Sequence, residues 1–375
     1  MPSQKRRTTQ RHYGRWIFLV VLACANLATF LVFWHMFSST SDAFGPRATP
    51  PPLLLLPQAT LPAEPTATAT RVAVNATAAP PDTPAPSPTL PPTATPAPIE
   101  LPPTETPSPT APKAKHVVII SIDGLRPDAL DLAYTPALDA LRAKGAYSAK
   151  AQTISLSITL PSHASMLTGV TPNKHGIQWG VPYIGWPGMT APTLLSIAHD
   201  AGYSTAMAFG KDKLNYLALP GSVDEIFGTD THDTDVKNHA IEFIEGGLPT
   251  VLFVHLPDTD RVGHTYGWMS EEQLGAVNFA DGLIGEIVTA LNNGGYLEST
   301  LLIVTADHGG HGMNHGDDSP LDRTIPWLAV GPGVGHKEAL ATAINTVDTA
   351  ATALYFLGLP IPDNWDGRPV LEIFQ

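Results

Sequence analysis

The sequence predicts an α/β sandwich with a mostly parallel central sheet over residues 115–375, preceded by one membrane-spanning helix and a Pro/Thr-rich stalk. Three observations predict this. After Lys115, short apolar runs alternate with helical stretches and turn residues between them. Of the 38 prolines, 22 fall in residues 1–114, a density no packed core tolerates. Between a basic N-terminus and that proline-rich stretch lies a long, nearly unbroken apolar run.

Residues 1–15 hold Lys5, Arg6, Arg7, Arg11 and Arg15. Residues 16–37, WIFLVVLACANLATFLVFWHMF, follow; at ~1.5 Å per residue they span about 33 Å, the thickness of a bilayer core. Basic residues on its N-terminal side predict a cytoplasmic N-terminus and export of everything after Phe37. A cleaved signal peptide would have an apolar stretch of about 7–15 residues and a small-x-small cleavage site. The run is longer and no clear site follows, so an uncleaved signal anchor is expected. Residues 38–114 contain Pro/Thr/Ala mixtures such as TPAPSPTLPPTATPAP, which favour extended conformers and offer no burial to offset ordering entropy. They read as a disordered stalk, with Asn75-Ala76-Thr77 as a possible glycosylation acceptor.

In the remaining domain, HVVIISI, YSTAMAF, TVLFVHL, TLLIVTA and IPWLAV read as buried parallel strands. Helices are expected around 135–144, 193–201, 234–244, 271–291 and 347–357. The alternation implies helices packed on a parallel sheet, with ligands bound beyond the carboxyl ends of the strands. No loop reads as long enough for a large lid.

The chain has 21 Lys+Arg against 34 Asp+Glu, and residues 1–114 hold eight of the bases and five of the acids. Residues 115–375 are therefore acidic by 16, which argues against a nucleic-acid groove. Small anionic substrates remain compatible if bound cations reverse the field locally. The one cysteine, Cys24, lies in the apolar run, which removes thiolate chemistry and disulfides from the exported part.

The strand ends are rich in metal-binding side chains. Asp123 closes the first strand, Asp258 and Asp260 follow TVLFVHL, Asp307 and His308 follow TLLIVTA, and His264 and His315 come soon after. A single Asp at such a place is more often a cap or turn former. Three strand ends with carboxylates beside histidines are hard to explain by capping alone. Asp260 and His264 are four apart, on one face if the segment is helical. Thr159 stands just before Leu160 and Pro161 at an expected helix start, where an N-cap role and an exposed hydroxyl are both open. Lys211, after the third run, is a candidate phosphate contact against the plainer reading of a solvated surface lysine.

The segments SIDGLRPDAL, TLPSHASMLTGVTPNKHG, DTDRVGH, TADHGG and HGDDSPLDRTIPWLAVGPG resemble, in order, the metal-site motifs of the alkaline phosphatase superfamily, nearest to its nucleotide pyrophosphatase/phosphodiesterase branch. The resemblance implies two divalent ions, zinc or else manganese. Asp123, Thr159, Asp307 and His308 would hold one, and Asp260, His264 and His315 the other. Asp260 is preferred to Asp258 because D-x-x-G-H fits only there. His315 is preferred to His311 because it opens the last motif, and His163, His175 and His255 are expected to be structural or to support the ligands. Thr159 would be the nucleophile, activated by metal. One departure is Ser162, where a TFPN-like run carries Asn to contact the phosphoryl oxygen; a serine hydroxyl can still donate there.

The expected activity is hydrolysis of a phosphodiester or nucleotide-type pyrophosphate through a phosphothreonine at Thr159, on a small phosphate ester or nucleotide-like substrate. A phosphate monoesterase is the near alternative. A sulfatase would need Cys or Ser at 159 and Arg where His163 stands. An envelope phosphoryl transferase and a non-catalytic surface-binding protein complete the alternatives.

Overall fold

The computed structural model describes residues 115–181, 183, 186 and 188–375. The expected anchor at 16–37, the stalk at 38–114 and its glycosylation acceptor lie outside the described residues.

In chain order the main elements are β1 (His116–Ile122), α1 (Pro136–Arg142), β2 (Ala146–Gln152), α2 (Thr159–Thr168), α3 (Pro172–His175), α4 (Leu194–Asp200), β3 (Thr205–Phe209), β4 (Glu225–Gly228), α5 (Asp233–Glu245), β5 (Val251–Leu256), α6 (Asp258–Tyr266), α7 (Glu271–Asn293), β6 (Thr300–Thr305), α8 (Pro320–Arg323), β7 (Thr324–Val330) and α9 (Asp348–Leu357). One seven-stranded sheet has the order β2-β7-β6-β1-β5-β3-β4. β1 is central and parallel to both β5 and β6, and its apolar run is buried from Val117 to Ile122, as a strand covered on both faces must be. Helices flank the sheet. α5 packs on β3 and β5 and meets α7, which also contacts α1 and α6; α9 packs on β1 and β6 and meets α2 and α4. By length and mean hydropathy (1.4) α7 resembles a membrane span, but these contacts make it a scaffold helix.

The sheet is mixed rather than wholly parallel. IPWLAV falls in β7, which runs antiparallel to both β6 and β2. Burial on both faces makes it a continuous apolar run whichever way it points. β2 and β4 were not expected as strands. β2, AYSAKAQ, is an edge strand with exposed Ala149 and Lys150 and an irregular register between Ser148 and Ala151, features that blunt an edge and break the apolar pattern. β4 has four residues and none is buried.

The segment that begins at Thr159 is the most tightly enclosed helix among the described residues. Every side chain of α2 is buried, and it ends on Gly169 in a left-handed turn (φ 63°) whose carbonyl accepts Asp366 N and Gly367 N. A Cβ at Gly169 would lie 2.1 Å from the ring of buried Trp365. Replacing Gly169 with Ala is expected to cost about 3 kcal/mol, from overpacking and the left-handed backbone. Thermal unfolding should then fall by about 5–10 °C. An unchanged melting temperature would mean the Trp365 ring moves freely.

Candidate functional site

The edge formed by the C-terminal ends of β1, β5 and β6 gathers the expected ligands. Asp123 follows β1 directly; Asp260 sits in the first turn of α6 after β5, with His264 one turn on; Asp307 and His308 follow β6. The structure brings together two groups, Asp123–Asp307–His308 and Asp260–His264–His315, each able to bring three donor atoms within 4.8 Å of one another. Thr159 Oγ1 lies 3.5 Å from His308 Nε2 of the first group and 3.4 Å from Lys211 Nζ. Helix α2 begins at Thr159, and its N-cap is Ile158. The threonine hydroxyl is therefore not used as a cap and faces the site.

Three histidines are fixed by one device. His308 donates Nδ1–H to the Gly309 carbonyl, His264 to Met313 and His315 to Ser157, at 2.8, 3.0 and 2.9 Å. A neutral imidazole that donates through Nδ1 keeps a lone pair on Nε2. The Nε2 atoms of His264 and His315 face each other at 3.1 Å, and Asp260 Oδ1 is 3.4 Å from each. His308 Nε2 lies 3.4 Å from Asp123 Oδ1 and 3.2 Å from Asp307 Oδ2. Asp123 Oδ1, Asp260 Oδ1 and Asp307 Oδ2 are buried without any hydrogen-bond donor. Converging lone pairs and orphaned carboxylate oxygens repel one another unless a cation completes them. The mixed oxygen and nitrogen donors suit zinc or manganese.

Lys211 is not a solvated surface lysine. It is 9% exposed, and its ammonium bridges the two groups, 2.7 Å from Asp123 Oδ2 and 2.6 Å from Asp260 Oδ2. Burial pulls its pKa down, but Asp123 and Asp260 outweigh this and raise it above the usual lysine value. Burial would likewise raise Asp123, yet Lys211 and a 2.8 Å hydrogen bond from His255 hold its carboxyl well below the usual range. Burial and the neighbouring Asp123 charge push Asp307 well above it. His308 is pushed down by burial, and His315 is brought down to about 4 by burial and by His308. Both imidazoles therefore stay neutral near pH 7, as ligands must.

The supporting residues are specific. His163, buried, donates Nδ1–H to the Thr159 carbonyl at 2.8 Å, so its Nε2 accepts from Ser121 Oγ at 2.9 Å and ties α2 to β1. His175 meets Ser165 Oγ at 2.9 Å, further along α2. Ser162 is fully buried in the first turn of α2, and its oxygen accepts from Thr153 Oγ1 at 3.1 Å. His311 is set apart from the two groups. It pairs with buried Asp322 at 2.7 Å, which raises its pKa, while the other Asp322 oxygen accepts Gly316 N and Asp317 N. That clasp shapes the loop carrying His315. Trp268 is a contributor the motifs did not reveal: it donates to the Gly124 carbonyl at 2.8 Å and packs edge-on against His264 and His315. A Cβ at Gly310 would lie 2.1 Å from its ring, so the second Gly of TADHGG makes room for that indole.

Asp258, the competitor of Asp260, is occupied elsewhere. Its carboxylate accepts from Asp233 N at 3.0 Å and pairs with His232 and Arg261, while Asp258 N donates to Asp233 Oδ1 at 2.9 Å. Burial, with the Asp258 charge, pushes Asp233 up to about 8, and its second oxygen has no partner. The folded chain thus keeps a proton on Asp233 between about pH 4 and pH 8 that the unfolded chain releases near its ordinary value of 3.8. Binding more protons when folded, the protein loses stability through this group as pH rises across that window. Asp233→Asn should remove this slope and melt at a higher temperature than the wild type at pH 8, read by thermal denaturation from pH 5 to 8. Parallel profiles for the two proteins would refute the assignment.

The architecture is alkaline phosphatase-like, the class of enzymes that process phosphate and sulfate esters. The chain belongs to the type I phosphodiesterase/nucleotide pyrophosphatase family, whose profile matches residues 117–178 and 184–332. GPI ethanolamine phosphate transferase 3 of Eremothecium gossypii is 34% identical over 200 residues, covering 46% of this chain and 18% of that protein. An uncharacterized pyrophosphatase/phosphodiesterase of Schizosaccharomyces pombe is 24% identical over 214 residues, 52% of this chain and 44% of that protein. The chain thus spans less than half the length of either. In fold, it is similar to murine ectonucleotide pyrophosphatase/phosphodiesterase 5 (TM-score 0.57, 15% identity, 67% of this chain and 97% of that one). It is also similar to a 2-O GAG sulfatase (TM-score 0.59, 14% identity, 70% and 74%). The family and these neighbours are hydrolases or phosphoryl transferases of the phosphodiesterase type, with sulfatases sharing the fold.

Proposed function

We propose that this chain hydrolyses a phosphodiester or nucleotide-type pyrophosphate through a covalent phosphothreonine at Thr159, with two divalent ions, zinc first among them, as cofactors. The observation that carries the reading is the convergence of three Nε2 lone pairs and three orphaned carboxylate oxygens in two groups, with His308 Nε2 of one group 3.5 Å from the Thr159 hydroxyl. Asp123, Thr159, Asp307 and His308 would hold one ion and Asp260, His264 and His315 the other. Bound there, the ions would acidify the hydroxyl and offset charge on the phosphoryl oxygens.

The chain's own residues supply the rest. Lys211 Nζ, 3.4 Å from Thr159 Oγ1, stabilises negative charge developing on that oxygen. The N-terminus of α2 presents free backbone N–H groups and the positive end of its dipole to a phosphoryl oxygen. The Oγ1–P bond forms as the P–O bond to the first alcohol breaks. Water then cleaves Oγ1–P, restoring the hydroxyl and releasing the phosphate product. A nucleotide-like substrate is supported by the family and by the murine neighbour, an inactive form of which was solved in complex with AMP. The ethanolamine phosphate transferase relative favours a second reading, in which an envelope alcohol replaces water in the second step.

The test is hydrolysis of bis(p-nitrophenyl) phosphate beside p-nitrophenyl phosphate by the purified chain loaded with zinc or manganese. Faster diester cleavage supports the reading; faster monoester cleavage moves the chain to the monoesterase branch, and neither reaction removes it from both. We further propose a single-pass membrane protein with a cytoplasmic N-terminus and an extracytoplasmic enzyme domain, on the basic-flanked run at 16–37. A reporter fused after Gln375 that is active only in the cytoplasm would overturn that topology if it were active.

A further inference from the structure

The lysine two residues beyond Lys211 has no task in the proposed reaction. Lys213 lies in a 3₁₀ helix, Asp212–Leu217, whose N-cap is Lys211 and which packs on α2, the helix that begins at Thr159. In a 3₁₀ helix residues three apart stand above one another, and burial here follows that period. Asp212 and Asn215 are exposed, Leu214 and Leu217 are buried, and Lys213 and Tyr216 form a half-buried third face. The Tyr216 ring packs against Trp186 and Trp179, with centroids 5.1 and 5.9 Å away. Lys213 thus shares a face with the residue that meets this aromatic cluster, and it stands two residues from the ammonium that bridges the two ligand groups.

No described residue forms a hydrogen bond or ion pair with Lys213 Nζ. That nitrogen nevertheless keeps accessible surface, so a solute can reach it. The charges that act on it are those of the site. Burial pulls its pKa below the usual lysine value and Lys211 adds to this, while Asp123, Asp260 and Asp307 pull it up without making up the difference. A half-buried lysine can carry its charge out to water and need no partner. Here the ammonium is desolvated within the field of three carboxylates yet touches none of them, whereas Lys211 touches two. Ions bound to those carboxylates would take up the negative charge that now offsets Lys213. Lys211 Nζ is 3.4 Å from the Thr159 hydroxyl and Lys213 makes no contact with it, so the second ammonium stands back from the reacting oxygen. A reachable cation placed in that way suits an anion attached to the reacting phosphoryl group.

We propose that Lys213 is a specificity-determining residue that binds the second phosphoryl group of a pyrophosphate-type substrate, while Lys211 and the ligand groups hold the phosphoryl group that reacts. The assignment rests on the proposed hydrolysis and narrows it to the nucleotide-type pyrophosphate, but its binding test does not depend on turnover. Isothermal titration of the zinc-loaded full chain would compare α,β-methylene-ADP, whose linked phosphoryl groups resist hydrolysis, with AMP. The analogue should bind about tenfold more tightly or better, the scale of one hydrogen bond between charged groups. Lys213→Met should close most of that gap and Lys213→Arg should keep most of it. Any competition of these ligands for zinc is the same in each protein, so the difference between proteins isolates the side chain. Lys213→Met keeps the apolar stem and removes a desolvated charge, so it should melt no lower than the wild type, which separates lost binding from lost folding.

A wild-type chain that binds the analogue no more tightly than AMP, or a Lys213→Met chain that keeps the full gap, overturns the assignment, whatever the chain does to esters. A gap that depends on Lys213 in a chain that cleaves neither ester keeps this site and sinks the hydrolytic reading instead. Where hydrolysis stands, Lys213→Met should lower kcat/KM for diadenosine diphosphate about tenfold further than for bis(p-nitrophenyl) phosphate. Equal losses on the two substrates would mean that Lys213 adds only to the general field of the site, and would refute its role in choosing between them.

Discussion

Thr159→Ala should leave a folded chain that binds metal but has lost ester hydrolysis by on the order of 10³-fold or more, the scale seen when a nucleophile is deleted from a concerted site. Folding should survive because the substitution removes little structure. The N-cap of α2 is Ile158, alanine is a strong helix former, and the hydroxyl makes only long contacts of 3.4 and 3.5 Å. The two carboxylate–imidazole groups need no atom of Thr159 to meet. Thr159→Ser, which keeps an oxygen but lets χ1 turn more freely, should retain measurable turnover. Steady-state kinetics on bis(p-nitrophenyl) phosphate, with metal content measured on the same samples, check this. Undiminished activity in the alanine variant would eliminate the phosphothreonine and with it the proposed mechanism.

Chelation should have the second large effect. Asp123, Asp260 and Asp307 are at most 2% exposed, each with an oxygen lacking any donor, and three imidazole lone pairs point among them. An ion bound at 1,000 times its dissociation constant stabilises the folded state by about 4 kcal/mol. Stripping the site should therefore lower the melting temperature by on the order of 10 °C and abolish hydrolysis, with both restored by added zinc or manganese. A His264→Ala/His315→Ala chain should bind one ion fewer and show a smaller chelator effect. If purified protein carries no divalent metal and chelators change neither melting nor activity, the two groups are buried ion-pair networks and nothing more.

The five apolar runs and the five expected helices were legible because burial on both sheet faces writes continuous hydrophobic stretches, while amphipathic helices write a longer period. Strand direction was not legible, since antiparallel β7 is as apolar as the mutually parallel strands β1, β5 and β6. The edge strands were lost where Lys150 and the exposed β4 broke the pattern. Around the site, the gathering of the acidic and histidine candidates into two groups was legible because the resemblance and the carboxylates at three strand ends point to the same residues. Their supports were legible only in part: His163 and His255 were expected to be structural or to support the ligands, Trp268 was not, and all three act through contacts 42 to 144 residues away in sequence. Lys211 stayed open between a phosphate contact and a solvated side chain because the carboxylates that bury it come from the end of β1 and from α6. The connection between Gly176 and Thr193 was also underestimated. It carries Trp179, Tyr183 and Trp186, and Trp179 and Trp186 pack against Tyr216, so a substantial aromatic loop stands where only short loops were expected.

The placement of Lys211 sets the valence of the whole centre. With Asp307 ionised, as an ion ligand would be, three carboxylates against one ammonium carry two negative charges in excess. Two divalent ions would turn that into two positive charges, and ionised Thr159 would reduce it to one. A phosphodiester carries one negative charge and would bring the filled centre to neutrality. A monoester dianion would leave it negative in a buried place, where unbalanced charge is costly. Without Lys211 the loaded centre would already be neutral before substrate arrived and would have no net attraction for either ester. In the proposed reaction, this one buried ammonium tilts a site able to serve two kinds of ester toward the singly charged one.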